Sequence, residues 1–194
     1  MNQPIINRVL KSKRKNNSTS YKIISLITGA IIFLGILPGI FIFVGIYFKD
    51  NVWESVFQFF ELVMSIIGVT IGSFFLLWAT VTQWKTGKGT PAPNAPPQLL
   101  IISGPYKYCR NPIQFGAIFY YLGIGTIIGG IVTGCISFIL GFIIGSIYNI
   151  FFEEKGLEKR FGDDYIQYRD RTPFIIPRFY ISHKEHEVNE NEED

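Results

Sequence analysis

Apolar residues in this chain fall in long blocks separated by short polar stretches. The blocks run from about Tyr21 to Phe48, from about Val52 to Val81, from Ile113 to about Gly130 and from Ile131 to Phe152. As helices rising about 1.5 Å per residue, the first two reach roughly 40 Å and the shortest roughly 27 Å, against a hydrocarbon core of about 30 Å. The pattern predicts about four membrane-crossing helices. The last two blocks together contain no Asp, Glu, Lys or Arg. A charge-free run of that length folds back as a hairpin, because backbone polar groups in lipid are satisfied only within helices. Its polar flanks, GPYKYCRNP (Gly104 to Pro112) and EEKGLEKRFGDDYIQY (Glu153 to Tyr168), are therefore expected at one membrane surface.

Between the second and third blocks, Gly87, Gly89, Pro91, Pro93, Pro96 and Pro97 forbid a regular helix and predict a shaped strap, after which QLLIISGPY returns to the membrane through a Gly-Pro turn. Asn111 and Pro112 read as the start of the third helix, with Asn as cap and Pro at the first position. Beyond Glu153 and Glu154, the spacing of Leu157, Phe161, Tyr165 and Tyr168 predicts a C-terminal amphipathic helix whose aromatic face lies on the membrane or under the bundle. Small residues recur at helical spacing. They are Gly35 and Gly39 around Pro38, then Ser65, Gly68 and Gly72, then Gly134, Ser137, Gly141 and Gly145. These stripes predict close helix packing, and the same pattern could support a homodimer.

Composition agrees with a membrane domain: 48% hydrophobic against 17% charged residues is too apolar for an ordinary soluble fold. No nucleic-acid partner is expected. Charge placement sets orientation. Arg8, Lys11, Lys13, Arg14, Lys15 and Lys22 precede the first block, Lys85, Lys88, Lys107 and Arg110 lie between the second and third, and Lys155, Lys159, Arg160, Arg169 and Arg171 follow the fourth. The opposite loops offer only Lys49. By the positive-inside rule both termini and the central loop are expected in the cytoplasm, with the protein in the cell (inner) membrane. The organisation expected is a basic tail over residues 1–20, a membrane domain over 21–180 with spans of about 21–48, 52–81, 113–130 and 131–152, and an acidic tail over 181–194.

Several residues carry candidate chemistry. Glu61 shares a face with Glu54 and Gln58; an ionisable residue inside a span is a functional candidate, but starting the hydrocarbon core at Leu62 leaves Glu61 at the outer interface, which is the expectation. Cys109 beside Arg110 invites a nucleophile reading, yet no His accompanies it in either polar stretch, so an inert thiol is expected. The predicted topology keeps it apart from Cys135, and no disulfide is expected. His183 and His186 sit in a tail ending ENEED, and no metal site is expected there or elsewhere. Lys107 and Arg110 at the mouth of the third helix could bind a carboxylate or phosphate, or anchor the helix by snorkelling. Glu153 and Glu154 could simply pair with them, or could serve a diol or a cationic cofactor.

The run GTPAPNAPPQLLIISGPYKYCRNPIQFG, then two spans, then EEKGLEKRFGDDYIQYRDRTPFIIPR, resembles the isoprenylcysteine carboxyl methyltransferase-like family of integral-membrane enzymes, related to the phospholipid methyltransferases. The resemblance covers about Gly87 to Arg178. It implies an all-α integral membrane enzyme with a cytoplasmic cofactor-binding strap, S-adenosyl-L-methionine as methyl donor and a lipophilic acceptor arriving from the bilayer. Carried over by position, the cofactor-contacting run falls on Gln98, Leu99, Leu100 and Ile101, the Tyr of the turn is Tyr106, the Arg-His-Pro-x-Tyr motif becomes Arg110, Asn111, Pro112, Ile113 and Gln114, and the cofactor-binding carboxylate is Glu153. Asn111 stands for His, Gln114 for Tyr, and Asn149 for a substrate-contacting Arg, which weakens a prenylcysteine carboxylate as acceptor. The resemblance gives Glu153 the ribose or amino group, Arg110 the methionine carboxylate or acceptor anion, and Tyr106 with the aliphatics the adenine. Glu154 is the base if a neutral acceptor needs one. Alternatives are an NADPH-dependent reductase of sterol-reductase type, which shares a similar Gly-to-Arg-x-Pro segment, and a non-catalytic membrane assembly module.

Overall fold

The computed structural model describes residues 19–48, 58–92 and 94–178, and all its regular structure is helical. Helix α1 (Thr19–Ala30) passes through a π-helical stretch (Ile31–Ile36) into α2 (Leu37–Tyr47). Then come α3 (Gln58–Lys85), a 3-10 turn (Gly104–Lys107), α4 (Pro112–Tyr148), a second π turn (Asn149–Glu153), α5 (Glu154–Phe161) and α6 (Asp163–Arg171). Most of the basic and acidic tails, Lys49, Glu54, the Gln58 side chain and both histidines lie outside the described residues. Among the described residues three helices are long and apolar enough to cross a membrane: Thr19–Tyr47, Phe59–Lys85 and Pro112–Phe161. Large apolar side chains such as Phe43, Leu77, Ile127 and Phe152 stand exposed on their outer faces, as lipid requires and water would not tolerate in such density.

The longest of the three does not run straight. Gly130 has φ 82° and ψ 176°, a conformation open to glycine alone, and the chain reverses there. A Cβ at Gly134 would touch Thr126 Oγ1 at 2.0 Å, one at Gly141 would meet Tyr121, and one at Gly145 would meet Gln114. Partners whose numbers rise on one side as they fall on the other define two antiparallel arms, before and after Gly130. At the turn the backbone N–H of Ile131 donates to Glu61 Oε1 at 2.8 Å. Glu61 thus caps the first free amide of the second arm, where a carboxylate also meets the positive end of the helix dipole. This is a structural duty at the bundle end remote from Arg110.

Gly68 and Gly72 bring α3 against the first arm backbone to backbone. A Cβ on Gly72 would lie 2.4 Å from Tyr120 N and 2.8 Å from Gly116 O, and one on Gly68 2.9 Å from Phe119 O. Gly45 seats α2 on Thr133 in the same way. The expected seam at Gly35 and Gly39 is not formed: nothing lies within 4 Å of either, because that face of the first helix points outward. Between them Pro38 has no N–H, so in the π register the Phe33 carbonyl loses its donor, and the Tyr121 hydroxyl supplies one at 2.7 Å.

Gly72→Ala should therefore destabilise the bundle by about 1–3 kcal/mol through overpacking. Gly35→Ala should be neutral or stabilise by up to about 1 kcal/mol. Thermal unfolding in detergent compares the two.

Candidate functional site

The site begins with the strap. A buried Thr90 organises its turn: the Thr90 N–H donates to Ala95 O at 2.8 Å, and Thr90 Oγ1 accepts from the Ala92 N–H at 3.3 Å. The Gln98 N–H donates to Gly87 O at 2.7 Å, and a Cβ at Gly89 would fall 2.5 Å from Pro97, so the glycines are there for close backbone contact. The first helix pins the outer edge, with the Tyr21 hydroxyl donating to Asn94 O at 3.1 Å and Lys22 Nζ to Lys88 O at 2.5 Å. The strap is a shaped segment, as its Pro and Gly content implies.

After the strap, Gln98 and Leu99 are exposed, Leu100 is half-buried and Ile101 is buried against Ala79, Tyr106 and Ile113. The Tyr106 ring is held at both ends. Gln83 Nε2 donates to its hydroxyl at 2.7 Å, and the Tyr168 hydroxyl donates to its backbone carbonyl at 2.7 Å. Burial, with the nearby Glu153 charge adding, holds the Tyr106 hydroxyl protonated well above the ordinary range. Neither Gln83 nor the Tyr168 contact was legible from spacing, since each joins segments far apart in the chain.

At the mouth of α4 the chain pairs with the C-terminal segment. The Arg110 N–H donates to Pro173 O at 2.9 Å, the Asn111 N–H to Phe174 O at 3.2 Å, and the Arg178 N–H to Tyr108 O at 3.0 Å. Asn111 precedes the helix and Pro112 occupies its first turn, but the Asn111 side chain does not cap it. Asn111 Nδ2 donates instead to Phe174 O at 3.0 Å, because the docked C-terminal segment presents a carbonyl there. The Cys109 thiol is buried, and burial pushes it up to about 12, so it is a protonated packing group at neutral pH.

Arg110 is the hub. Its Nη2 lies 3.1 Å from Glu154 Oε1, its Nη1 donates to Arg169 O at 2.8 Å, and its guanidinium sits 5.7 Å from the Phe174 ring centroid. Both ion-pair side chains are only 14% exposed, so the pair is largely dry. It joins the mouth of the first arm to the end of the second and to α6, bringing the two polar flanks to one end of the bundle.

Below this pair, Gln114 and Asn149 face each other across the arms. Asn149 Nδ2 donates to Gln114 Oε1 at 2.5 Å, while Gln114 Nε2 donates to Ser146 Oγ at 3.0 Å and Phe142 O at 3.1 Å. Both side chains are buried, and the amides satisfy one another as buried polar groups must. Just beyond, the π turn carries Glu153 out of the apolar run. Glu153 is open to solvent yet crowded by protein, and this partial loss of hydration raises its carboxyl above the ordinary value; Arg160 opposes the shift and Glu154 adds to it. Tyr106 and Tyr148 also feel its charge. Tyr148 stacks on Phe152 at 5.8 Å beside it.

The sequence of residues 60–164 matches the phospholipid methyltransferase family. The chain belongs to that family. The matched region carries the strap, Tyr106, the Arg110 mouth, both arms, Glu153 and Glu154, whereas the first helix and the segment from Tyr165 onward lie outside it. Comparisons with curated proteins and with solved structures give no match. Membership implies methyl transfer to a lipid-type acceptor, and a membrane setting accords with the exposed apolar helices.

Removing one partner of the dry pair leaves an uncompensated charge. Arg110→Met should lower stability by about 3–5 kcal/mol, and adding Glu154→Gln should recover part of the loss. Chemical denaturation of the two variants measures this; a double variant falling by the sum of both single losses would show that the two side chains do not act as a pair.

Proposed function

We propose that this protein is an S-adenosyl-L-methionine-dependent methyltransferase acting on a lipophilic acceptor at the cytoplasmic face of the cell membrane, with both termini on that side. The observation that carries the reading is the convergence at one bundle end of the strap, the Arg110 mouth and Glu153, with an apolar hairpin behind them. The residues present fit such a donor. Glu153 is an open carboxylate in none of the described ion pairs, and its charge reaches the buried Tyr106, which packs with Ile101 of the aliphatic run. When bound, S-adenosyl-L-methionine supplies a methyl group on a sulfonium, ready for in-line displacement.

Glu153 holds the donor's ribose or amino group, and Leu99, Leu100, Ile101 and Tyr106 form the adenine wall beside Gln98. Asn111, Pro112, Ile113 and Gln114 shape the mouth of the first arm, and Asn149 lines the acceptor side through its bond to Gln114. Arg110, spent on Glu154 and Arg169, positions the mouth more than it binds an anion. Glu154 takes the proton from a neutral acceptor, while a carboxylate acceptor needs no base. Holding donor and nucleophile at near-attack distance can supply roughly 7–11 kcal/mol of barrier lowering. The uncharged arms keep water from the acceptor side.

Because partial loss of hydration raises Glu153 and the ionised form binds, affinity for S-adenosylhomocysteine should fall on acidification at a pH above the ordinary carboxylate range. Glu153→Gln should weaken binding about 10- to 100-fold and remove that limb. Calorimetric titration across pH reads both. A limb unchanged in Glu153→Gln would remove Glu153 from the site, and binding of NADPH without S-adenosylhomocysteine would replace the transferase reading by a reductase.

A further inference from the structure

The Arg110 guanidinium is largely taken up by Glu154, the Arg169 carbonyl and the Phe174 ring, and its one nitrogen left without a hydrogen bond, Nε, is buried. A second guanidinium is better placed. Arg160 lies on α5, seven residues after Glu153 and so two turns along the same face. It is exposed, but it is held: Nε donates to Gly156 O at 3.2 Å, Nη1 to Pro97 O at 3.0 Å, and the Phe161 ring centroid lies 5.2 Å from its guanidinium carbon, which leaves the guanidinium edge at Nη2 open. Pro97 immediately precedes the Gln98 to Ile101 run, so Arg160 is tied to the strap at the edge of the proposed donor wall. Its Nη2 has no hydrogen-bond partner among the described residues, and Arg160 joins none of the described ion pairs. Its charge nonetheless acts on Glu153 more strongly than any other cation. Two exposed opposite charges therefore stand on one helix face without closing into an ion pair, one at the end of a π turn and the other held by two backbone carbonyls and the Phe161 ring.

We infer that Arg160 binds the carboxylate of the donor's methionine moiety, forming with Glu153 a two-ended clamp for a zwitterionic ligand. A planar guanidinium fixed through Nε and Nη1 still presents Nη2 to a carboxylate, and the interaction is charge-assisted. This assignment rests on the donor identity proposed above and adds the residue that distinguishes a donor with a carboxylate from one without. The bland alternative is that Arg160 only ties α5 to the strap. That role needs a hydrogen-bond donor, not a ligand-facing charge.

The test is calorimetric binding of S-adenosyl-L-methionine and of its decarboxylated analogue to the full chain in detergent, for wild type, Arg160→Gln and Arg160→Lys. Wild type should bind the carboxylate-bearing donor about 10- to 100-fold more tightly than the analogue. Arg160→Gln, which keeps a donor for Pro97 O, should lose that preference while its affinity for the analogue stays within about threefold, and Arg160→Lys should keep part of it. Equal weakening of both ligands in Arg160→Gln would reduce Arg160 to a strap tie and overturn the inference. Equal binding of both ligands to wild type would overturn it too, leaving the donor assignment standing. Binding of neither ligand to wild type would remove the donor assignment along with it.

Discussion

The reversal at Gly130 is the constraint on which the site depends. An apolar stretch without a single charge has to satisfy its backbone within helices, and with one glycine in a conformation closed to other residues it does so as two antiparallel arms. Their far ends then emerge together. Only because they do can Arg110 reach Glu154 across 3.1 Å, and only with that charge neutralised can both sit nearly dry at the end of the apolar arms. Glu61 secures the turn at one end of the bundle and the Arg110 hub secures the opening at the other, so the hairpin is fastened at both ends.

Polarity is distributed along the arms in a way that suits methyl transfer to a lipid. The charges collect at the open end, on Arg110, Glu153, Glu154 and Arg160. One step deeper there are only the neutral amides of Gln114 and Asn149, which satisfy each other and Ser146. Deeper still, glycines and Thr126, Thr133 and Ser137 let the arms close without leaving room for water. A lipophilic acceptor approaching from the bilayer meets no cation until it reaches the open end. This bears on the departures from the prenylcysteine pattern: where those enzymes place an Arg and a Tyr, this chain places two amides that bind one another.

Much of this was readable from residue order. The hairpin follows from the length of the charge-free run and the strap from its Pro and Gly; the single amphipathic helix expected from the spacing of Leu157, Phe161, Tyr165 and Tyr168 is instead two short helices, because Gly162, at φ 56° and ψ −131°, turns the chain between Phe161 and Asp163. The family was readable too, from the order of those polar segments. Other features have no local signature. Whether Arg110 meets a ligand or Glu154 depends on how the arms rotate, and the docking of Pro173 to Arg178 on Tyr108 to Asn111 withdraws the Asn111 side chain from the cap that its type and position favour. The π turn that projects Glu153 carries no residue pattern of its own. Gly35 and Gly39 show the converse: small residues at the right spacing form a seam only if another helix arrives, and no other described helix of the same chain reaches them.

Everything functional follows from both polar flanks sharing one side of the membrane, and side-specific labelling tests that most directly. In a Cys109→Ala, Cys135→Ala background, Lys107→Cys and Lys159→Cys place single thiols on exposed positions of the two flanks. With an impermeant maleimide and sealed inside-out vesicles, both should label without opening the membrane. One labelling from outside and the other only after permeabilisation would put the flanks on opposite faces and contradict the account.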